Sequence, residues 1–250
     1  MREAPLIEHL EELRSRIIWS LVAWGITTSL AFTFRVQLLD WLKKPLDVFN
    51  ATSNIKAELI VLNITEPFLT AFKVAAFGGL AFALPFIVYQ IWAFIAPGLY
   101  DHERRLAVPF LLGAGFSFAA GAVFSYFVLL PFAVPFLLGF LGDVVTPQIS
   151  IGMYMGQVLT FMGLMGLLFE MPVVSYLLAR LGFLTSRFLI SNWRIAIVLL
   201  VTLAAVITPT VDVVNLSLVA LPLLLLYWIS IFLVKWAERS RPKEIEEAAA

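Results

Sequence analysis

The stretch FIAPGLYDHERR, residues 94–105, is a short polar connector held between two apolar runs that are each long enough to cross a bilayer. It combines an aromatic, a Pro-Gly turn and a tyrosine with the cluster Asp101, His102, Glu103, Arg104 and Arg105. Two spans need no such set of charges merely to reverse direction. The connector is therefore expected to face water and to dock a ligand or a partner.

Working outward, 61% of the 250 residues are hydrophobic and the mean hydropathy is +0.95. That is more apolar surface than a soluble core of this length buries, so the chain reads as an all-α integral membrane protein. A span takes about 20 apolar residues. Six runs qualify as candidates: residues 17–34, 68–92, 106–130, 153–178, 193–207 and 216–234. The fifth, at 1.5 Å per residue, reaches only about 22 Å against a hydrocarbon core of about 30 Å, and the sixth is barely sufficient. Short helices next to a polar groove would thin the bilayer locally, as a protein handling large or polar cargo requires.

The formal net charge is zero, so no bulk field recruits nucleic acid. The distribution is what informs. With the N-terminus cytoplasmic, that side holds Arg2, Arg14, Arg16, Arg104, Arg105, Arg180, Arg187, Arg194, Lys235, Arg239, Arg241 and Lys243, against Arg35, Lys43, Lys44 and Lys56 outside. This positive-inside bias predicts cytoplasmic termini. The chain reads as one transmembrane domain over 1–250: a cytoplasmic amphipathic helix to residue 16, a six-helix bundle over 17–234 and a cytoplasmic tail from 235.

Leu6, Leu10, Leu13 and Ile17 recur at helical spacing, with Glu8, Glu11, Glu12, Arg14 and Arg16 between them, which gives the amphipathic helix. An acidic segment before a long apolar run is unlike a cleaved signal, so the first span is expected to be retained. There is no cysteine, which excludes disulfides, iron–sulfur clusters and Cys-type zinc sites. Residues 35–66 predict an outer cap with short helices, and 132–152 a second segment along the outer surface. Pro85, Pro172 and Pro222 fall inside spans and predict bends. Gly152 and Gly156 give a GxxxG spacing suited to close helix packing.

Glu170 is the acidic residue set well inside a span, where a charge costs about 2.5–3.5 kcal/mol on insertion scales, so it needs a partner or water. Pro172 also deprives the Leu168 carbonyl of its helical donor. The plain alternative is an interhelical hydrogen bond with no part in transport.

Enzymatic readings find no support. His102-Glu103 lacks the second histidine of HExxH, GFSFA lacks the last glycine of GxSxG, and no phosphate-cradling GxxxxGK[ST] loop occurs. No catalytic residue, metal site or cofactor is expected.

HLEELRSR at residues 9–16, FIAPGLYDHERR at 94–105 and FEMP at 169–172 stand in the order and spacing of the TatC family, which the chain resembles over essentially its whole length. The resemblance implies six transmembrane helices in a curved, glove-like bundle with both ends in the cytoplasm. It implies a receptor for twin-arginine signal peptides on folded cargo, at the core of an export machinery in the cytoplasmic (inner) membrane. The proton-motive force would drive it, in oligomeric assembly with single-span TatA-like and TatB-like proteins.

The family's signal-recognition positions fall on Glu12, Arg14, Phe94 and Glu103, with Pro97, Leu99, Tyr100, Arg104 and Arg105 supporting the loop. Glu170 takes the family's polar position in the fourth helix, and Pro45 a proline of the outer cap. Where many members read Pro-Pro-Asp, this chain reads TPTVD at 208–212, which displaces Asp212 by one residue. Paired arginines suit two carboxylates, since a guanidinium binds a carboxylate through two charge-assisted hydrogen bonds. Against this, Glu12 and Glu103 can simply pair with Arg16, Arg104 or Arg105 in exposed bridges worth about 0–1 kcal/mol. The alternative function is a proton-coupled secondary transporter of a small solute, though no internal repeat of the kind such folds show is evident.

Overall fold

The computed structural model describes residues 6–54, 56–96, 107–139, 146–208 and 212–239. The first helix, α1 (Leu6–Thr33), joins the predicted amphipathic segment and the first span in one piece. Its sequence holds no proline and a single glycine, Gly25, so nothing interrupts the hydrogen-bond ladder between them.

At Phe34 the chain bends by 80° into α2 (Arg35–Thr52). This second helix buries Leu42, Pro45, Leu46 and Phe49, an i, i+3, i+4, i+7 stripe that lays it over the bundle as the predicted cap. Pro45 has no N–H for the Trp41 carbonyl. The Tyr126 hydroxyl supplies the missing donor at 2.7 Å, and the two rings stack at 4.1 Å. A two-stranded parallel pair completes the cap: β1 (Glu58–Ile60) runs beside β2 (Gln148–Ser150), with Leu59 opposite Ile149.

The second span is α3 (Glu66–Ile95), about 45 Å long. It runs antiparallel to α1. Trp24 Nε1 donates to the Ala76 carbonyl and Thr27 Oγ1 to that of Gly79, both at 2.8 Å. A Cβ on Gly79 would stand 2.5–2.6 Å from Thr28 backbone and hydroxyl atoms, so only glycine permits this approach. Small residues with polar side chains bonded across the seam are how helices associate where lipid provides no hydrophobic drive.

The third span is α4 (Ala107–Phe124), a π-helical turn (Ser125–Leu129) and α5 (Leu130–Gly139). The apolar run after 132, predicted to lie along the outer surface, instead extends this span, so that the helix over Phe110–Gly139 is continuous. The widened turn stands just before Pro131, whose ring would clash with an i−4 carbonyl in a regular α-helix.

The fourth span, Ile151–Arg180, breaks at Glu170 into α6 (Ile151–Phe169) and α7 (Met171–Arg180). Gly182, at φ 87, ends it in a Schellman motif, with Gly182 N–H on the Ala179 carbonyl and Phe183 N–H on that of Leu178. The expected GxxxG seam does not form at both glycines. A Cβ on Gly152 would meet Glu66, but nothing lies within 4 Å of one on Gly156.

After the short α8 (Ser186–Ser191) come α9 (Trp193–Ile207) and α10 (Val213–Arg239). At 15 residues α9 is as short as predicted. The apolar stretch of the sixth span sits within a helix of 27 residues, about 40 Å, so α10 is longer than the expected short helix. Its polar ends extend past the hydrocarbon stretch that hydropathy detects.

A main core joins most of these elements, with a small second cluster of Ala179, Val234 and Ala237 between α7 and α10. Leu46 of the cap, Leu129 and Leu130 of the third span, Met155 and Met165 of the fourth and Leu223 of the sixth are almost fully enclosed. Large apolar side chains such as Ile26, Phe82 and Phe232 point outward, the pattern of helices that face lipid rather than water.

Candidate functional site

The start of α1 meets the end of α3. One face of α1 carries His9, Glu12 and Arg16 at i, i+3 and i+7, and the facing turn of α3 carries Gln90 and Phe94 at i and i+4. The His9 ring stacks on Phe94 at 4.4 Å. Arg16 is shared: one guanidinium nitrogen donates to Gln90 Oε1 at 3.1 Å and the other lies 3.2 Å from Glu12 Oε1. Both members of the ion pair are about one-third exposed, which leaves Glu12 open to exchange partners with an incoming cation.

Two residues on from Glu12, a turn of about 200° around the axis carries Arg14 to another flank. There it is exposed and borders a shallow cleft with Glu11, Ser15 and Ile18. Glu12 and Phe94 thus belong to one cluster, linked through Arg16 and His9, while Arg14 stands apart from them. Glu103, Pro97, Leu99, Tyr100, Arg104 and Arg105 lie outside the described residues.

Sequence reading missed Gln90. It is only 6% exposed, a buried amide in the apolar second half of its span, and its partner is a guanidinium on another helix. A lone amide in such a run was the available signal, since an unsatisfied one costs free energy in lipid. Below this polar cluster a groove of about 390 Å³ runs between α1 and α3, from Leu13 and Phe94 at its mouth to Trp24 and Ile87.

Two other predicted positions belong to different parts of the molecule. Pro45 lies in the cap, buried in α2. Glu170 sits at the break of the fourth span. There Ser117 of α4 donates to the Phe169 carbonyl at 2.5 Å, while Glu170 Oε1 is buried with no hydrogen-bond partner among the described residues. Asp212 caps α10: its carboxylate accepts from the Asn215 N–H at 2.7 Å and the Asn215 amide at 3.0 Å. No group of three or more His, Cys, Asp and Glu able to hold a metal occurs among the described residues.

The sequence matches the family described as Sec-independent protein translocase protein (TatC) over residues 8–222. A TatC protein of Deinococcus radiodurans is 45% identical over 249 residues, covering 100% of this chain and 92% of the relative. One from Aquifex aeolicus is 44% identical over 246 residues, covering 98% and 100%. A crystal structure of the twin-arginine translocase receptor TatC superposes with a TM-score of 0.78 at 42% identity, over 92% of this chain and 99% of that one. With a family match across most of its length and relatives this similar from end to end, the chain belongs to the TatC family of Sec-independent protein translocases.

Proposed function

We propose that this chain is the receptor subunit of a twin-arginine translocase, and that it reads the arginine pair of a signal peptide with carboxylates at the α1–α3 end of the bundle. The observation that carries the reading is Glu12 held by Arg16 on the face opposite Phe94. An exposed pair of this kind is worth about 0–1 kcal/mol. A ligand guanidinium that forms a paired, charge-assisted bond with the same carboxylate outcompetes it at little cost. Gln90 then retains Arg16, so that the displaced cation is not left unpaired. Glu103, nine residues beyond Phe94 in sequence, supplies the second carboxylate, and Arg14 borders the site from its own flank.

The remaining family expectations join this proposal. The chain forms one domain in the cytoplasmic membrane with both termini on the cytoplasmic side. TatA-like and TatB-like single-span proteins assemble with it, and the proton-motive force drives export of folded cargo. Glu170 lines a face that contacts partner or signal helices, which a photocrosslinker placed at position 170 would read out.

The test is photocrosslinking of a twin-arginine peptide to the full chain in membranes, with a twin-lysine peptide as control. Glu103→Ala should abolish the crosslink and Glu12→Ala weaken it, with the protein still inserted. Crosslinking should also fall as salt rises, because partly exposed charges are screened over about 8–10 Å at physiological ionic strength. An undiminished crosslink in both variants would remove the carboxylates from the site.

A further inference from the structure

We propose that the crevice beneath the cap helix α2 holds an acyl chain of a phospholipid with a negatively charged headgroup, and that the exposed edge of α2 binds the phosphate of the same lipid. This site lies apart from the α1–α3 cluster and does not depend on the signal-peptide reading.

The crevice has a volume of about 300 Å³. Leu38, Trp41 and Leu42 of α2 roof it, α3 and α4 form its walls, and the buried Met162 of α6 lies against it. Apart from the indole N–H of Trp41, every lining side chain is apolar. Phe82 and Val123 on its walls are 78% and 52% exposed, so the crevice opens sideways toward the bilayer. Along α3 it runs from Val74 to Pro85, eleven residues or about 16 Å. That is about half of the hydrocarbon core of about 30 Å, the depth of the one leaflet on the cap side.

A chain that fills such a gap restores dispersion contacts that its lining otherwise lacks. Bilayer hydrocarbon is as apolar as the crevice, so hydrophobicity sets no preference among lipids. Selection falls to the headgroup.

The edge of α2 above the crevice supplies it. Gln37, Trp41 and Lys44 stand at i, i+4 and i+7 on one stripe about 10 Å long, and all three are exposed. Their side-chain N–H groups have no hydrogen-bond or ion-pair partner among the described residues. The neighbouring lysine is satisfied, since Lys43 lies 3.3 Å from Asp47. Asp40, one turn before Lys44, forms no bridge with it. The stripe thus presents three donors and a positive charge where tryptophan and lysine gather at a membrane surface. A phosphodiester, an anion that only accepts, is their complement. Trp41 belongs to both the stripe and the crevice, which joins headgroup and chain in one site.

The experiment uses the full chain in phosphatidylcholine nanodiscs with a trace of photoreactive lipid, either phosphatidylglycerol or phosphatidylcholine, whose photoreactive group sits midway along one acyl chain. Labelled residues are mapped by mass spectrometry. The phosphatidylglycerol probe should label Phe82, Val123 or their neighbours about fivefold more than the phosphatidylcholine probe, the worth of one lysine at an anionic headgroup. Lys44→Gln should erase that preference and leave labelling of the remote, outward-facing Phe232 unchanged. Gly115 lines the crevice, and a Cβ there meets no atom within 4 Å, so Gly115→Leu fills the space without displacing protein and should lower crevice labelling by both probes. Mapping in the unaltered chain requires no variant and stands if either variant fails to fold.

Label spread evenly over the lipid-facing helices overturns the crevice as a chain site. Label in the crevice without headgroup preference in the unaltered chain overturns the phosphate edge. In native membranes, a photoreactive residue at position 123 that crosslinks to protein rather than lipid assigns the crevice to a partner helix and overturns the proposal.

Discussion

Single residues that resolve a local backbone problem hold this structure together. Pro45 frees the Trp41 carbonyl and Tyr126 takes it, so one hydroxyl fixes the cap to the third span. Tyr126→Phe keeps the ring stack but leaves that carbonyl without its donor. We expect a loss of about 1–3 kcal/mol, read as a lower midpoint of thermal unfolding in detergent, with Tyr126→Ala costing more through loss of the buried ring. Glu66 plays a comparable part. Its carboxylate accepts from the N–H groups of Leu62 at 2.7 Å and Gly152 at 2.9 Å and from the Ser150 hydroxyl, and so ties the start of α3 to the start of α6. Neither partnership could be seen in the sequence. A proline announces a missing donor, and a carboxylate at a helix start announces a cap, but which distant group answers is a matter of tertiary placement. The ion pair of Glu12 with Arg16 was legible because it is a local, i, i+4 fact, while the site role of Glu12 came from the family resemblance; Gln90, whose partner lies 74 residues away, was not legible.

At the scale of elements, the seam between α1 and α3 and the open flank of α6 make opposite demands on glycine. Gly79→Ala drives a methyl group into Thr28 and should destabilise the protein by about 1–3 kcal/mol, as overpacking does. Gly156→Ala meets no atom within 4 Å and should be neutral or stabilising by about 0.5–1 kcal/mol, since alanine suits a helix better. Thermal unfolding of both variants in the same detergent checks the contrast. Spacing alone nominated Gly156 and passed over Gly79, because GxxxG describes a helix face and not what lies opposite it. The spans themselves were legible wherever twenty apolar residues run together. Misread were the joins, where physics beyond hydropathy decides: a π-helical turn carries the third span past Pro131, and polar ends lengthen α10. The strands β1 and β2, of three residues each, are too short to show a period of two.

For the whole molecule, twelve basic residues on one predicted side against four on the other set the expected orientation. The chain contains no cysteine, so single introduced thiols report without background. Glu8→Cys should be labelled by an impermeant maleimide only after the membrane is opened, and Ala51→Cys, at the end of the cap helix, in intact cells. The reverse pattern would invert the protein and place Glu12 on the wrong side for a receptor that meets its cargo before export.

The Glu66 clasp also bears on how the chain is built. Glu66 and Gly152 are separated by 86 residues, and β1 meets β2 across a similar stretch, with Glu58 opposite Gln148. During synthesis neither partnership can form until residues 148–152, at the start of the fourth span, have been made. The fastening between the start of α3 and the start of α6 thus waits on the fourth span, and the cap gains its second strand only then.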